Sequence, residues 1–269
     1  MNLDRIDYAT TMRYWDKVYN YNLYYLLKSG CFFFLFISCI AFGQTNHSKS
    51  VLFVGNSYTY FWNLPQTVNI MTLKDSLIIE TRQSTGGGMS LRQHWNQENG
   101  LKTFDIIVNS SFDIVVLQDH SMQAITKADT LMYYGKLFAD QIKKRGSKIF
   151  LFITWAREND PTKQEKITNE YQKLAQEIDA ILVPVGPIWD KVRKERPDIK
   201  LFDDDGSHPS HYGTYLSSCV FYKSLTGKSP LGLPHRIVST DVNGDKLYLN
   251  IISEELAKYF QGVVDKFEY

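Results

Sequence analysis

Residues 51–57 read VLFVGNS, and this stretch decides the fold of the chain. Residues 51–54 are a continuous apolar run, which is typical of a strand buried on both faces of a parallel sheet. Gly55 ends the run, so Ser57 follows directly after the carboxyl end of the strand. Ligands of parallel α/β sheets bind at that end. The stretch therefore predicts a buried parallel strand and a candidate nucleophile, Ser57.

Further strands and helices alternate along the rest of the chain. Four more segments have strand-like composition: residues 77–81, 113–117, 148–154 and 180–185. Spacing of 3.6 residues between apolar positions predicts helices at residues 128–145, 163–178, 210–226 and 251–267. Such alternation predicts the α/β class, as a three-layer α/β/α sandwich around a five-stranded parallel sheet. No linker or repeat interrupts residues 50–269, which we interpret as one domain.

Composition excludes several classes of protein. The chain has 269 residues, 43% of them hydrophobic, which is enough to form a core. Its 30 basic and 29 acidic side chains give a net charge of +1, so no strong field exists to attract nucleic acid or an anionic membrane. Of the three cysteines, only Cys219 lies outside the N-terminal segment, so a disulfide framework and a thiolate metal cluster are excluded.

The N-terminal segment has the pattern of a secretory signal. Residues 31–42 are mostly apolar, Lys28 precedes them, and small residues at 41 and 43 favour cleavage before Gln44. Residues 1–43 are therefore predicted to be an N-terminal extension and signal peptide, and the mature protein to be secreted or periplasmic. The apolar run is short for a bilayer span, so no stable span is expected after cleavage. An uncleaved membrane anchor is the alternative.

A serine hydroxyl becomes a good nucleophile only when a base removes its proton. Residues 203–209 read DDDGSHP and supply an imidazole and carboxylates on one short loop. Asp205 and His208 are three positions apart, so the carboxylate can hold one ring nitrogen while the other faces Ser57. Ser57, His208 and Asp205 are thus candidates for a catalytic triad.

These two segments also carry a family resemblance. Residues 55–59, GNSYT, resemble the first block of SGNH/GDSL hydrolases, in which the serine stands in a G-[DN]-S context. Residues 205–209 match that family's last block, D-x-x-H-P. The G-x-S-x-G motif of α/β-hydrolases is absent because Thr59 replaces its last glycine. The resemblance implies a flavodoxin-like strand order and a serine esterase that works through an acyl-enzyme on Ser57 without a cofactor.

The resemblance also suggests an oxyanion hole. The amide of Ser57 and that of Gly88, in the GGGMSL run at residues 86–91, are the expected backbone donors. The family's G-x-N-D block is replaced here by QDHS at residues 118–121, and Gln118 is our candidate for the missing asparagine donor. This variant block, with GGGMSL and TWA at residues 154–156, is similar to a secreted Bacteroidetes-type subgroup.

Two residues beside these blocks are candidates for substrate binding. Asn56 could orient the catalytic loop or only cap the turn, and Trp155 could stack on a sugar ring at the rim or only pack inside. His120 is ambiguous from the sequence. His211 is expected to be solvent-exposed without a role, and the His94-Trp95 pair is expected to pack in the core or at the surface.

The expected substrates are small-molecule or carbohydrate esters, mainly acetyl or short acyl esters on sugars. One alternative is a metal-dependent hydrolase whose ligands are drawn from Asp203, Asp205, His208 and His211. Another is a non-catalytic binding domain of the same fold.

Overall fold

Five parallel strands form the central sheet of the computed structural model, which describes residues 47–73, 75 and 77–269. The strands are β1 His47–Gly55, β2 Leu77–Thr85, β3 Ile114–Leu117, β4 Lys148–Phe152 and β5 Ile181–Val183. Their order is β2-β1-β3-β4-β5, and every neighbouring pair is parallel. The predicted five-stranded sheet and its flavodoxin-like order are confirmed.

Helices cover both faces of the sheet. In chain order they are α1 Ser57–Tyr60, α2 Leu64–Thr72, α3 Leu91–Trp95, α4 Thr103–Asn109, α5 Gln123–Thr126, α6 Ala128–Lys144, α7 Gln164–Ile178, α8 Val185–Glu195, α9 His211–Thr226 and α10 Glu254–Lys266. Single 3-10 turns lie at Phe61–Asn63, Glu98–Gly100 and Pro161–Lys163. An antiparallel hairpin of β6 Arg236–Thr240 and β7 Lys246–Ile251 stands apart from the main sheet.

Side chains of β1 alternate between two hydrophobic clusters. Val51 and Phe53 pack on one face with the apolar sides of α2, α8, α9 and α10. Leu52 and Val54 pack on the other face with those of α3, α4, α6 and α7. Because successive side chains of a strand point to opposite faces, a fully apolar strand requires a helical layer on each side. The three-layer α/β/α architecture is therefore confirmed.

The described residues all lie in one compact unit. Within them, none of the helices has the length and apolar character needed to cross a membrane. The predicted signal segment, residues 1–43, and its cleavage site lie outside the residues that the structure describes.

Candidate active site

Ser57 is the first residue of α1, directly beyond the carboxyl end of β1. Asn56 caps this helix, because its Oδ1 accepts a hydrogen bond of 3.0 Å from the backbone N–H of Tyr58. The Ser57 backbone N–H, by contrast, meets no acceptor among the described residues. The turn therefore fixes the Ser57 hydroxyl at the edge of the sheet and leaves its amide free to donate.

A chain of hydrogen bonds joins Ser57 to His208 and Asp205. The Ser57 hydroxyl lies 2.8 Å from His208 Nε2, and His208 Nδ1 is hydrogen-bonded to Asp205 Oδ2. A carboxylate can only accept, so Nδ1 carries the hydrogen and Nε2 of the neutral ring is free to accept from Ser57. The structure thus brings the three predicted triad residues together in the order that proton transfer from the serine requires.

Asp205 is held in its ionised form. Burial acts to raise its pKa, but hydrogen bonds from the His208 side chain and from the backbone N–H groups of His208 and Ser207 lower it to about 2. Those backbone bonds measure 2.8 and 2.9 Å to Asp205 Oδ1. Asp205 is therefore an anion at neutral pH and fixes the orientation of the His208 ring.

The loop that carries Asp205 and His208 is braced by the rest of the fold. The backbone N–H of Asp203 donates to the carbonyl of His208 at 2.9 Å, which closes the loop on itself. Gly206 adopts φ +63, a conformation that favours glycine. The hydroxyl of Tyr58 lies 2.7 Å from that of Ser207 and ties the loop to α1. These contacts set the distance between Ser57 and His208.

Trp155 belongs to this bracing rather than to the rim. Its side chain is 1% exposed and is stacked between Tyr58 and Trp189, with ring centroids 4.5 and 3.9 Å away. Its Nε1–H donates to the carbonyl of Ser207 at 3.0 Å. The predicted substrate-stacking role of Trp155 is therefore wrong, because the indole is covered by packing and its polar end holds the catalytic loop.

Gln118 supports the nucleophile turn from below. Its Oε1 accepts from the Asn56 backbone N–H at 2.8 Å and from the Thr59 hydroxyl at 3.0 Å, and its Nε2 donates to the carbonyl of Asp119. The side chain has no exposed surface. A group that solvent cannot reach cannot donate to an oxyanion in the substrate cleft, so the structure contradicts the proposed oxyanion role of Gln118. Gly55 is needed here, since an added Cβ would lie 2.3 Å from Gln118 Oε1.

Asn56 is likewise a positioning residue. It is 2% exposed, and its Nδ2 donates to the carbonyl of Met89 at 3.0 Å and to that of Asp119 at 3.4 Å. Both the oxygen and the nitrogen of its side-chain amide are hydrogen-bonded to the protein backbone. The structure therefore does not support the predicted role of Asn56 in substrate binding. The residue instead joins the nucleophile turn to the glycine-rich turn and to the end of β3.

Gly88 lies in the glycine-rich turn that Asn56 contacts through Met89. The Met89 N–H donates to the carbonyl of Gly86 at 3.1 Å, and the Gly86 N–H donates to that of Gly55 at 3.2 Å. Gly88 has φ +67, and a Cβ added there would meet nothing within 4 Å. Its N–H has no acceptor among the described residues. The turn therefore sits beside the nucleophile with a free amide in an open position.

His120 follows Gln118 and Asp119 at the end of β3, and its ring is half-buried. The backbone N–H of Met122 donates to His120 Nδ1 at 3.2 Å, so the hydrogen of the neutral ring resides on Nε2. Burial, and then the positive charge of Arg157, lower the pKa of His120. The ring is therefore a neutral donor whose Nε2–H has no acceptor among the described residues. No sequence pattern distinguished His120 from Gln118 as a candidate donor.

Two buried titratable groups stand behind the site. His94 Nε2 donates to the carbonyl of Gly55 at 2.9 Å, its Nδ1 accepts from the Thr103 hydroxyl at 2.6 Å, and burial lowers its pKa to about 4.

Asp119 is the second of these groups, and its Oδ1 accepts from the backbone N–H groups of Leu91 and His120 at 2.9 and 2.7 Å. Its Oδ2 has no partner among the described groups, and burial raises its pKa to about 6. Sequence spacing indicated neither role.

The alternative metal site lacks a ligand set. Within the described residues, no group of three or more His, Cys, Asp or Glu side chains is arranged to hold a metal ion. His208 is engaged between Ser57 and Asp205, and the His211 ring packs 3.9 Å from that of Tyr212. Among the candidates, Asp205 and His208 are thus bonded to each other, whereas His211 contacts a different neighbour.

No protein-family model matches this sequence, and none of the curated proteins does either. Solved structures do match. A DUF4886 family protein from Bacteroides uniformis superposes with a TM-score of 0.63 at 16% identity, over 81% of this chain and 93% of that one. A candidate SGNH hydrolase from Slackia heliotrinireducens gives 0.59 at 22% identity, over 66% of this chain and all 100% of that one.

A third similar structure is a mutant of an acetyl-xylooligosaccharide esterase from Geobacillus Stearmophilus. It gives a TM-score of 0.54 at 14% identity, over 68% of this chain and 96% of that one. Identities this low establish the architecture, which the strand order found here also supports. The resemblance seen in the sequence is thus confirmed at the level of the fold: this chain has the fold of the SGNH/GDSL hydrolases.

Proposed function

We propose that this protein is a serine esterase that cleaves ester bonds through an acyl-enzyme on Ser57. The observation that carries the proposal is the hydrogen-bonded chain from the Ser57 hydroxyl through His208 to Asp205. Several structures of the same fold are named as esterases or lipases, which supports the ester bond as the target.

In the first half-reaction, the Ser57 oxygen attacks the ester carbonyl while His208 Nε2 takes the hydroxyl proton. The C=O double bond becomes a C–O⁻ single bond, and the ionised Asp205 stabilises the imidazolium. When the tetrahedral intermediate collapses, the C–O bond to the alcohol breaks and His208 returns the proton to that oxygen. The products are the free alcohol and a Ser57 ester.

In the second half-reaction, water takes the place of the alcohol. His208 removes a proton from water, the hydroxide oxygen attacks the acyl carbon, and the bond to Ser57 Oγ breaks as His208 returns the proton to the serine. The acid is released and the enzyme is restored. Because both half-reactions use the same imidazole nitrogen, the contact between Ser57 and His208 serves both.

The oxyanion of each intermediate needs preorganised donors. We assign this role to the backbone N–H groups of Ser57 and Gly88 and to Nε2–H of His120. The two backbone groups have no acceptor among the described residues, and His120 is a neutral ring with its free hydrogen on Nε2. His120 replaces Gln118 in this assignment because its ring is partly exposed.

We infer that the substrates are acetyl or other short acyl esters on carbohydrates. The acetyl-xylooligosaccharide esterase of the same fold supports a sugar ester. A panel of acetate, butyrate and octanoate esters of one sugar would measure the acyl preference through kcat/KM. We expect acetate to be the best substrate, and a preference for octanoate would contradict the inference.

The two alternatives give different results in the same assay. A metal-dependent hydrolase would lose its activity in a chelator and keep it in Ser57→Ala, whereas a binding domain would turn over no ester at all. We expect turnover that resists chelation and is reduced by several orders of magnitude in Ser57→Ala.

We also propose that the protein is exported and that residues 1–43 are removed. The support is the sequence pattern of residues 28–43. N-terminal sequencing of the protein recovered from the medium or periplasm should begin at Gln44. Recovery of the full-length chain with the membrane fraction would favour an uncleaved anchor.

A further inference from the structure

Trp62 is a large apolar side chain that the segment after the nucleophile exposes to solvent. It lies in the 3-10 turn Phe61–Asn63, which directly follows α1, and it is 45% exposed. Trp62 and Asn63 have φ of +50 and +53, a left-handed conformation that is costly for a residue with a bulky side chain. Backbone conformations of this kind are concentrated at functional sites, where they aim a side chain.

The Trp62 ring is fixed against the loop that carries His208. Its Nε1–H donates to the carbonyl of Pro209 at 3.1 Å, and its ring centroid lies 5.7 Å from that of His211. The neighbouring Phe61 ring stacks on His208 itself, with centroids 4.3 Å apart and an angle of 15° between the planes. The indole is therefore rigid before a ligand binds, so little conformational entropy is lost on binding.

The position of Trp62 determines which half of the substrate it meets. In the proposed reaction, His208 gives its proton to the oxygen of the leaving alcohol, so that alcohol must lie against His208. Trp62 is hydrogen-bonded to the residue that follows His208. The ring therefore lies on the His208 side of the site, which is the side where we expect the alcohol half of the ester.

The surroundings of the indole favour a neutral, hydroxylated partner. Asn63 beside it is exposed, and so are Asp203 and Asp204 on the catalytic loop. Together with Asp205 they put three acidic side chains on the loop that carries His208, and this acidic loop opposes an anionic alcohol. A sugar ring has an apolar C–H face that can cover the indole and hydroxyl groups that stay hydrated at its rim.

We propose that Trp62 is a leaving-group subsite that stacks on a neutral pyranose ring carrying the scissile ester. This proposal rests on the proposed esterase function and deepens it. It assigns the recognition of the alcohol to an exposed ring on the nucleophile segment, whereas the sequence had assigned it to Trp155.

The test compares three acetate esters that share the acyl group and differ in the alcohol: an acetylated methyl xylopyranoside, cyclohexyl acetate and ethyl acetate. We measure kcat/KM for the wild type, Trp62→Ala, Trp62→Phe and a control, Tyr133→Ala. Tyr133 is an aromatic residue of α6 that is 59% exposed. The ratio of kcat/KM for the pyranoside to that for ethyl acetate reports on the alcohol subsite alone.

We expect the wild type to prefer the pyranoside to both other esters. Trp62→Ala should lower the pyranoside-to-ethyl-acetate ratio about tenfold, mainly through KM, because stacking acts equally on bound substrate and transition state. Trp62→Phe should keep most of the ratio, since the phenyl face remains, and Tyr133→Ala should leave it unchanged.

Two results would overturn the subsite: a wild-type preference for cyclohexyl or ethyl acetate, or an unchanged ratio in Trp62→Ala, including one that comes with an equal loss on all three esters. The last would show that Trp62 only supports His208. A wild-type preference for cyclohexyl or ethyl acetate would overturn the subsite even if Trp62→Ala does not fold. Failure of the esterase proposal is distinct, because the wild type would then hydrolyse none of the esters.

Discussion

The imidazole of His208 is held from three sides, and each contact fixes a different degree of freedom. Asp205 sets which nitrogen carries the hydrogen. The Phe61 ring stacks on the imidazole with the ring centroids 4.3 Å apart, which limits tilting. The Tyr58 ring lies edge to face with the imidazole, with the centroids 5.9 Å apart. Rotation of the ring would break the 2.8 Å contact with Ser57. Preorganisation of this kind reduces the rearrangement needed in the transition state.

For single residues too, His120→Ala tests the proposed third oxyanion donor. We expect kcat to fall by a factor on the order of 10² to 10³ with a much smaller change in KM, because the donor acts on charge that develops only in the transition state. His120→Asn should recover part of the loss, since its amide can donate. A parallel fall of kcat in both variants, or an effect confined to KM, would contradict the assignment.

Some residue roles were predictable from the sequence and others were not. The contact between Asp205 and His208 is local, so a spacing of three residues indicated it, and the end of a buried strand indicated where Ser57 would lie. The burial of Trp155 and Gln118 depends on long-range packing, which a spacing pattern does not contain. The sequence therefore suggested a sugar-stacking role for Trp155 and an oxyanion role for Gln118, and the fold allows neither.

Among the elements, the apolar runs predicted all five strands of the main sheet. Helix α8 was not predicted, and its Gly186-Pro187 lies in the first turn, where proline is tolerated. Gly186 is required there, since an added Cβ would lie 2.0 Å from the carbonyl oxygen of Thr154. The β6–β7 hairpin had a signal that was overlooked: Asn243-Gly244 between two short strands.

The packing of helices α6 and α7 gives a prediction about glycine. A Cβ at Gly135 of α6 would lie 2.6 Å from Leu174 in the buried core, whereas one at Gly262 of α10 would meet nothing within 4 Å. Gly135→Ala should therefore destabilise the protein by roughly 1 to 3 kcal/mol through overpacking. Gly262→Ala should stabilise it by about 0.5 to 1 kcal/mol.

Urea unfolding of the two variants beside the wild type measures these differences. Because both substitutions place alanine inside a helix, their opposite signs isolate the effect of packing from that of helix propensity. Equal shifts in the two variants would show that α6 and α7 do not approach as closely as described.

For the molecule as a whole, two buried groups make opposite contributions to stability as the pH falls. His94 has a pKa of about 4 in the folded protein and 6.5 as its ordinary value, so the unfolded chain takes up the proton first and stability is lost between those values. Asp119 has a folded pKa of about 6 against 3.8, so the folded protein takes up the proton first and stability rises as the pH falls from 6 to 3.8.

Replacing Asp119 by asparagine should remove the rising contribution and leave that of His94. The amide retains an oxygen for the N–H groups of Leu91 and His120. Between pH 7 and 5, we expect the free energy of unfolding of Asp119→Asn to fall by roughly 1 to 2 kcal/mol. That of the wild type should fall less than half as much, because protonation of Asp119 in the folded protein offsets the loss from His94. Urea titrations at both pH values give the comparison. Equal pH dependence in the two proteins would show that Asp119 does not titrate in this range.

The central claim is that Ser57 is a nucleophile activated by His208 and Asp205. Labelling with a serine-directed fluorophosphonate, followed by mass spectrometry of the digested protein, tests it most directly. We expect one label, located on Ser57, that is absent in Ser57→Ala and formed at least about a hundredfold more slowly in His208→Ala. If the folded wild-type protein takes up no label, or is labelled on another serine with Ser57 unmodified, Ser57 is not the activated nucleophile.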